Sequence, residues 1–500
     1  MQQLNPIKFW PPLILLTGTV IYSLLDKEGF LAAAQSINTW ILEHFSWLFS
    51  WSVLLFVLIL VVIFISPFGR ITIGGKGATP LLSKWKWFSI TLCTTIATGI
   101  LFWGTAEPLF HFHQPPASLD INPASVEARN FSMATMLLHW TLSPYAIYTM
   151  AALVFAYCFY NLQRPFEVSA TLFPLIGKSS SGIIGHLTDI ICLYGLVAGM
   201  AASLGAGILT ISGGLRLFLG IPPSSFLLLV ITLTIVATFV ASASSGLMKG
   251  IRVLSDYNIK AFILLAIFFF CFGPTMPILE TGSSAMVAYV QNFLPRSVNW
   301  NHALDQSWFQ SWTVFNWANW LAWAPITALF LGRLGKGYTV RQFILVNLVF
   351  PSIFGGLWMM IFSGSAIHFD TLSNGGLFQI LNDKGPENVI YAIFESLPFT
   401  RLISITFLLI TFISYVTAAD SNTSAMSNLC TKGITTEHQE SPVFIQVIWG
   451  TIVGTLAWIM ISYSGIEGIK MISVLGGFPA LFLVIAISLG ALHLMITTKS

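Results

Sequence analysis

Charge is what this sequence has least of. Of its 500 residues, 22 are Lys or Arg and 19 are Asp or Glu, 8% in all, where soluble domains carry about 25%. So few ionised groups cannot cover the surface of a soluble fold of this length. The same scarcity excludes a disordered chain. A net charge of +3 gives no footprint for a nucleic acid or another acidic partner. Cysteine is sparse as well. Cys93, Cys158, Cys192, Cys271 and Cys430 are scattered, without a CxxC pair, so a disulfide scaffold is excluded and small buried hydrophobes remain. No Walker A loop, HExxH, GxSxG or GxGxxG after a strand occurs. The chain therefore carries no signature of nucleotide-driven transport or of catalysis, and no cofactor or metal is expected. The first apolar run follows a single lysine and lacks a small-residue cleavage site, so no cleavable leader is expected.

Long apolar runs are what is present. Hydrophobic types make up 55%, with 41 Phe and 17 Trp. Twelve stretches reach the roughly 20 residues that span a bilayer. They lie near 9–25, 50–67, 87–110, 133–160, 184–212, 224–243, 256–280, 309–333, 340–364, 402–428, 443–464 and 470–494. The runs are continuous rather than alternating, which excludes a β-barrel. With both termini cytoplasmic, the inner loops hold 15 of the 22 Lys and Arg and the outer loops 7, as the positive-inside rule requires. The expectation is an all-α polytopic membrane protein, with residues 1–500 forming one transmembrane domain. The outer loops 281–308 and 365–401 are amphipathic enough to lie on the membrane surface. The short ends predict no soluble regulatory domain and no tail-driven osmosensing.

Ten of the twelve helices read as two sets of five, 3–7 within 87–280 and 8–12 within 309–494. Two helices within 1–86 precede them. Five is odd, so the second set is inverted relative to the first, an arrangement common in secondary transporters. The first helix of each set is interrupted. Helix 3 carries Thr94-Thr95-Ile96-Ala97-Thr98-Gly99, and helix 8 carries Ala322-Trp323-Ala324-Pro325-Ile326-Thr327. Proline frees a carbonyl, and freed backbone groups at membrane depth are tolerated where they line a cavity. A mere kink is the plainer reading of either one alone. Small residues on helices 5 (Gly199 to Gly207) and 10 (Ser414 to Ser421) are read as close helix contacts.

Aromatic residues gather at mid-membrane depth. Helix 4 reads His139-Trp140-Thr141-Leu142-Ser143-Pro144-Tyr145-Ala146-Ile147-Tyr148. On one continuous helix, Trp140, Tyr145 and Tyr148 fall within about 140° of arc. Helix 8 places Trp320 and Trp323 at similar depth. Trp and Tyr normally collect at the membrane interfaces. At the midplane their ring faces suit a cation that cannot hydrogen-bond, such as trimethylammonium, at roughly 0.5–2 kcal/mol per ring. An aromatic-rich core is the plainer alternative, since 14% of the chain is aromatic.

Several dispersed segments are similar to the betaine/carnitine/choline transporter (BCCT) family. They are Phe102-Trp103-Gly104-Thr105-Ala106-Glu107-Pro108-Leu109, His139-Trp140 through Tyr148, Trp312-Thr313-Val314-Phe315 through Trp323-Ala324-Pro325, Gly332 through Arg341, and Thr417-Ala418-Ala419-Asp420-Ser421. The resemblance implies the inverted-repeat fold, alternating access, a homotrimer and a quaternary-ammonium substrate such as glycine betaine, choline or carnitine. The family's aromatic box falls on Trp140, Tyr145, Tyr148 and Trp320, with Tyr145 where Trp is usual. Trp323 flanks the path and Phe315 covers the site. Sodium-coupled members resemble GxGxG in helix 3. The matching positions here are Thr95, Ala97 and Gly99, of which Gly99 alone is retained and is expected to line the substrate. Asn319 stands where the family has another Trp, which implies more polar substrate contacts.

The sodium-site positions also depart. Thr417 is followed by Ala418 rather than Ser, and the helix-5 threonines are matched by Leu196 and Met200. Methyl and thioether groups offer sodium no oxygen. Weak or absent sodium coupling is therefore expected, with Asn258, Lys260 and Thr417 as coupling or cation-surrogate candidates. Lys260 can instead pair with Asp256 four residues earlier. Glu107 and Asp420 are proton-coupling candidates by their place in the membrane, and His139 reads as a helix-packing residue. The Arg333 to Arg341 loop is read as an orientation signal, with a gating role as the alternative. Carriage of a related sulfonium or amine zwitterion, driven by sodium or protons, is the alternative within transport. A channel is the rival outside it, and lacks the charged ring it would need.

Overall fold

The structure is a computed structural model that describes residues 4–96, 99–244, 247–433 and 441–498, without the side chains of 96, 243–244 and 247–253. Ala97 and Thr98 of the expected interruption lie outside the described residues. Among the described residues the chain is nearly all helix, with no strand beyond two single bridges, Leu4 to Thr431 and Thr72 to Thr339. Helix is what a lipid solvent demands, because it satisfies every backbone donor and acceptor within one segment.

The long helices, in order, are α1 (Pro6–Leu25), α2 (Lys27–Ile65), α3 (Lys84–Ile96), α4 (Gly99–His113), α5 (Val126–Trp140) and α6 (Leu142–Tyr160). They continue as α7 (Ile183–Leu219), α8 (Ser225–Ser244), α9 (Leu247–Phe272), α10 (Thr275–Ser297), α11 (Phe315–Leu334), α12 (Phe350–Leu372), α13 (Thr400–Leu429) and α14 (Val443–Thr497). Among the described residues, nine helical stretches are long and apolar enough to cross a membrane, or ten if α3 and α4 form one bent span. The chain is thus a multi-pass helical membrane protein.

Three details depart from the expected spans. The two last runs, 443–464 and 470–494, are one 55-residue stretch that bends at Gly465, whose φ is 53°. The segment expected as a surface loop after 280 continues a helix, α10, which packs on α5 and α12. The two expected interruptions differ from each other. α3 and α4 diverge by 57°, whereas α11 runs unbroken through Pro325. A π-helical turn, Gln310–Val314, leads into α11.

A break that the spacing did not predict separates α5 from α6. Thr141 sits at φ −121°, ψ −118°, and Pro144 follows three residues later. A proline ring collides with the carbonyl four residues before it, here that of Trp140. The interruption therefore ends α5 on Trp140, and Tyr145 and Tyr148 follow it on α6. α11 lies at the centre, packed by α6, α7 and α14. Glycines permit this closeness: a Cβ at Gly195 of α7 would stand 3.0 Å from the Gly476 carbonyl oxygen of α14.

Candidate functional site

Trp320 of α11 is the hub of a buried aromatic cluster. Its ring lies 5.0 Å from Tyr148, 5.3 Å from Tyr145 and 6.0 Å from Trp140, with interplanar angles of 53°, 67° and 73°. All four side chains are buried, none more than 4% exposed. The edge-on approaches are the favoured geometry for ring quadrupoles. The Trp320 indole N–H is buried and has no hydrogen-bond partner. Gly99, the first residue of α4, faces the same cluster: a Cβ there would come within 3.1 Å of Trp140 Cη2. The absence of a side chain at Gly99 thus lets bare backbone meet a ring edge.

The remaining expected residues sit around this hub in different ways. Trp323 is buried one turn further on and packs on α7, where a Cβ at Gly199 would stand 2.8 Å from its Cδ1. Asn319 is partly buried and accepts a hydrogen bond from Ser473 Oγ of α14 at 3.1 Å. Phe315 is buried, with its ring 5.7 Å from Trp103 of α4. Cavities of about 630 and 360 Å³ lie elsewhere. They are lined by residues such as Phe270, Met286 and Leu357, and by Ile37, Leu456 and Phe478.

The coupling candidates separate. Asn258 of α9 donates to Ser414 Oγ of α13 at 2.9 Å, and its side-chain oxygen is buried without a partner. Thr417 bonds back to the Ile413 and Ser414 carbonyls of its own helix, both at 3.0 Å. Thr94 of α3 reaches Ser421 of α13 at 3.4 Å, so these hydroxyls and the amide tie α3, α9 and α13 together beside the break. Lys260 is not part of this group. Its amine is exposed and pairs with Asp256 at 2.6 Å. Leu196 and Met200 are fully buried and contribute no side-chain oxygen.

A second cluster lies directly behind Trp140, and the sequence reading did not assemble it. Glu107 of α4 accepts the Trp140 indole N–H through Oε2 at 2.9 Å. Its Oε1 is 2.6 Å from His139 Nδ1 and 3.3 Å from His111 Nε2. His139 Nε2 is 3.0 Å from Thr313 Oγ1. All three titratable side chains are buried. The i,i+4 spacing of Glu107 and His111 was the one signal in the sequence; the contact with His139 crosses between helices and leaves no local trace.

Fold and site define a class: a multi-pass helical membrane protein with rings from separate helices clustered in its core, beside an interrupted helix. The chain belongs to the betaine/carnitine/choline family of transporters (BCCT), whose family model matches residues 7–499. That family is one of transporters, not enzymes. The chain is 29% identical over 489 residues, 97% of its length, to a glycine betaine transporter of Acinetobacter baylyi, of which the match covers 73%. It is 28% identical over 479 residues to an ectoine/hydroxyectoine transporter of Virgibacillus pantothenticus, covering 95% of this chain and 93% of that one. To a high-affinity choline transport protein of Escherichia coli it is 28% identical over 492 residues, 98% of this chain and 72% of the other.

Proposed function

We propose that the protein is a secondary transporter of a quaternary-ammonium solute of the glycine betaine, choline or carnitine type, working by alternating access in the cell inner membrane. The observation that carries this reading is the Trp320 hub, with three further rings centred within 6.0 Å of it. Methylated ammonium has no N–H to donate, so ring faces replace hydrogen-bond acceptors as its partners. A cavity carboxylate would add its own desolvation cost, which neutral rings avoid. Trp140, Tyr145, Tyr148 and Trp320 form the cage. Trp323 and Phe315 flank it, and Gly99 admits the substrate close to backbone. Asn319 offers a polar contact to the rest of the solute. The same contact favours the second reading, a sulfonium or amine zwitterion.

The layout that goes with this function has twelve spans in a single domain, 1–500. Two N-terminal helices (1–86) precede two inverted five-helix repeats, 87–280 and 309–494. At 1.5 Å per residue, α14 is far longer than a bilayer is thick, which supports counting it as two spans that meet at Gly465. Both termini are cytoplasmic and the assembly is a homotrimer. Sodium coupling is weak or absent, because Leu196, Met200 and Ala418 supply no side-chain oxygen and the Thr417 hydroxyl bonds its own helix. Asn258 and Thr417 take part in coupling. The exposed pair Lys260–Asp256 argues against Lys260 as an internal cation.

A ligand-stabilisation screen on the purified full-length protein tests this. Glycine betaine, choline, carnitine and their sulfonium analogues are compared with an uncharged osmolyte at equal concentration. At least one onium compound is expected to raise the unfolding midpoint, since ligands that bind only the folded state stabilise it. No midpoint shift with any of them contradicts the reading.

A further inference from the structure

The cluster behind Trp140 has no role in the cage itself, and its chemistry is unusual for membrane depth. A lone carboxylate there is costly unless something neutralises it. Among the described residues no Lys or Arg comes within 4.0 Å of Glu107. The groups that touch it are two imidazoles and one indole N–H. Among these contacts, the positive charge that can balance a Glu107 carboxylate is a proton on a ring nitrogen.

The partners of each imidazole decide which ring carries it. His111 turns Nε2 to Glu107, while its Nδ1 is buried with no hydrogen-bond partner. A second proton on His111 would leave a charged N–H unsatisfied in an apolar site. His139 has a partner on both sides, Glu107 at Nδ1 and Thr313 Oγ1 at Nε2. The Thr313 hydroxyl can donate to a neutral ring or accept from a charged one by rotating about its own bond. His139 thus gains or loses a proton without any heavy atom moving.

The other charges around the cluster stand further off. On α14, Lys470 lies over the Trp312 ring at 4.2 Å, and that ring packs on His111 at 4.7 Å. On α10, Arg296 lies over Phe131 at 4.8 Å, with Phe131 and His111 centred 6.4 Å apart. Arg129 of α5 pairs with Glu280 of α10, and His113 of α4 with Asp370 of α12; His368 also lies on α12. Lys470 is itself paired with Glu467 of α14 at 3.3 Å.

Trp140 joins the two sites, its N–H on Glu107 and its ring in the cage. A carboxylate accepting that N–H enriches the ring that faces a bound cation. A proton on His139 cancels that charge. Resting on the onium reading above, we propose that Glu107, His111 and His139 form a proton-binding site, with the exchangeable proton on His139, in competition with the cationic headgroup in the cage. Loading an onium ion releases this proton to solvent, and acid weakens onium binding.

The test is titration calorimetry of the full-length protein in lipid nanodiscs with choline, whose own charge is fixed across the range. It is run at about pH 5.5 and about pH 8.5, each in two buffers of different ionisation enthalpy, which counts the protons exchanged. The expected result is affinity on the order of ten-fold tighter at the higher pH, with a fraction of a proton released per choline bound. Glu107→Gln keeps an acceptor for the Trp140 N–H while removing the charge, and should abolish both the release and the pH dependence. Should that variant fail to fold, His139→Gln serves in its place with the same expectation. Equal affinity at both pH values with no proton exchanged, proton uptake instead of release, or release persisting in the variants overturns the proton site and leaves the transport reading standing. Failure of choline and the whole onium panel to bind at either pH overturns that reading, and the proton site with it.

Discussion

Trp320 differs from Trp358 in the kind of ring it meets: Trp140 at the end of α5 and Tyr145 and Tyr148 of α6, rather than Phe alone. Trp358, equally buried, stacks on Phe354 and Phe362 in an apolar layer. Trp320→Leu should therefore keep the fold but weaken a trimethylammonium ligand by about 1–2 kcal/mol, roughly five- to thirty-fold, read as a dissociation constant on folded protein. Unchanged affinity would remove Trp320 from the cage. The ring residues were legible because aromatics at mid-span stand out against the interface preference of Trp and Tyr. Their mutual contact was not, because it joins α11 to α5 and α6 across about 170 positions of sequence. Asn319 shows the same limit, since its partner Ser473 lies 154 positions away. Lys260 was ambiguous in the sequence, where an i,i+4 carboxylate and an internal cation read alike.

At the scale of the helix, composition marked twelve apolar stretches, whereas nine or ten candidate spans stand out among the described residues. A hydropathy run has no feature that marks where one helix passes into the next, as before Thr275 at the start of α10 and at Gly465 within α14. Lys8 and Arg341 counted in the sequence as orientation signals, and both have defined structural work. Arg341 donates to the carbonyls of Phe64, Ile65 and Ser66 at 2.7–3.2 Å, closing the C-terminal end of α2. Lys8 is buried in α1 and bridges Asp189 of α7 and Glu167, both at 2.6 Å. Beside it, the Asn5 N–H donates to the Cys430 carbonyl oxygen at 2.7 Å, so the start of α1 is fastened to the bundle. Lys8→Met leaves the Asp189 carboxylate buried without its cation. This should cost about 3–5 kcal/mol, seen as a lowered unfolding midpoint. Adding Asp189→Asn should recover part of the loss. A midpoint unchanged in the single variant would mean that the triad contributes nothing to docking α1.

For the whole molecule, the scarcity of charge settled the membrane class before any motif was considered. The inverted repeat rests on pattern and family resemblance, and its two interrupted helices prove unequal: α3 and α4 diverge, while α11 holds its course through Pro325. Among the described residues, α4 begins at Gly99 beside the aromatic cluster, at an angle of 57° to α3. The polar junction near α3 is built from two hydrogen bonds, Thr94 to Ser421 and Asn258 to Ser414, and leaves the Asn258 side-chain oxygen without a partner. In proteoliposomes, uptake of the substrate found by the screen should be nearly the same with and without an inward sodium gradient. A large saturable stimulation by sodium would show that oxygen ligands come from elsewhere.

The account depends most on ring faces binding a fixed positive charge. The direct measurement compares choline with its neutral carbon isostere, in which a tert-butyl group replaces trimethylammonium, as ligands of the same protein. Size and shape match, so only the charge differs. The account predicts that choline binds at least about ten-fold more tightly and that Trp320→Leu narrows the gap. Equal affinity for the two would contradict it, because the cluster would then be an apolar pocket indifferent to charge.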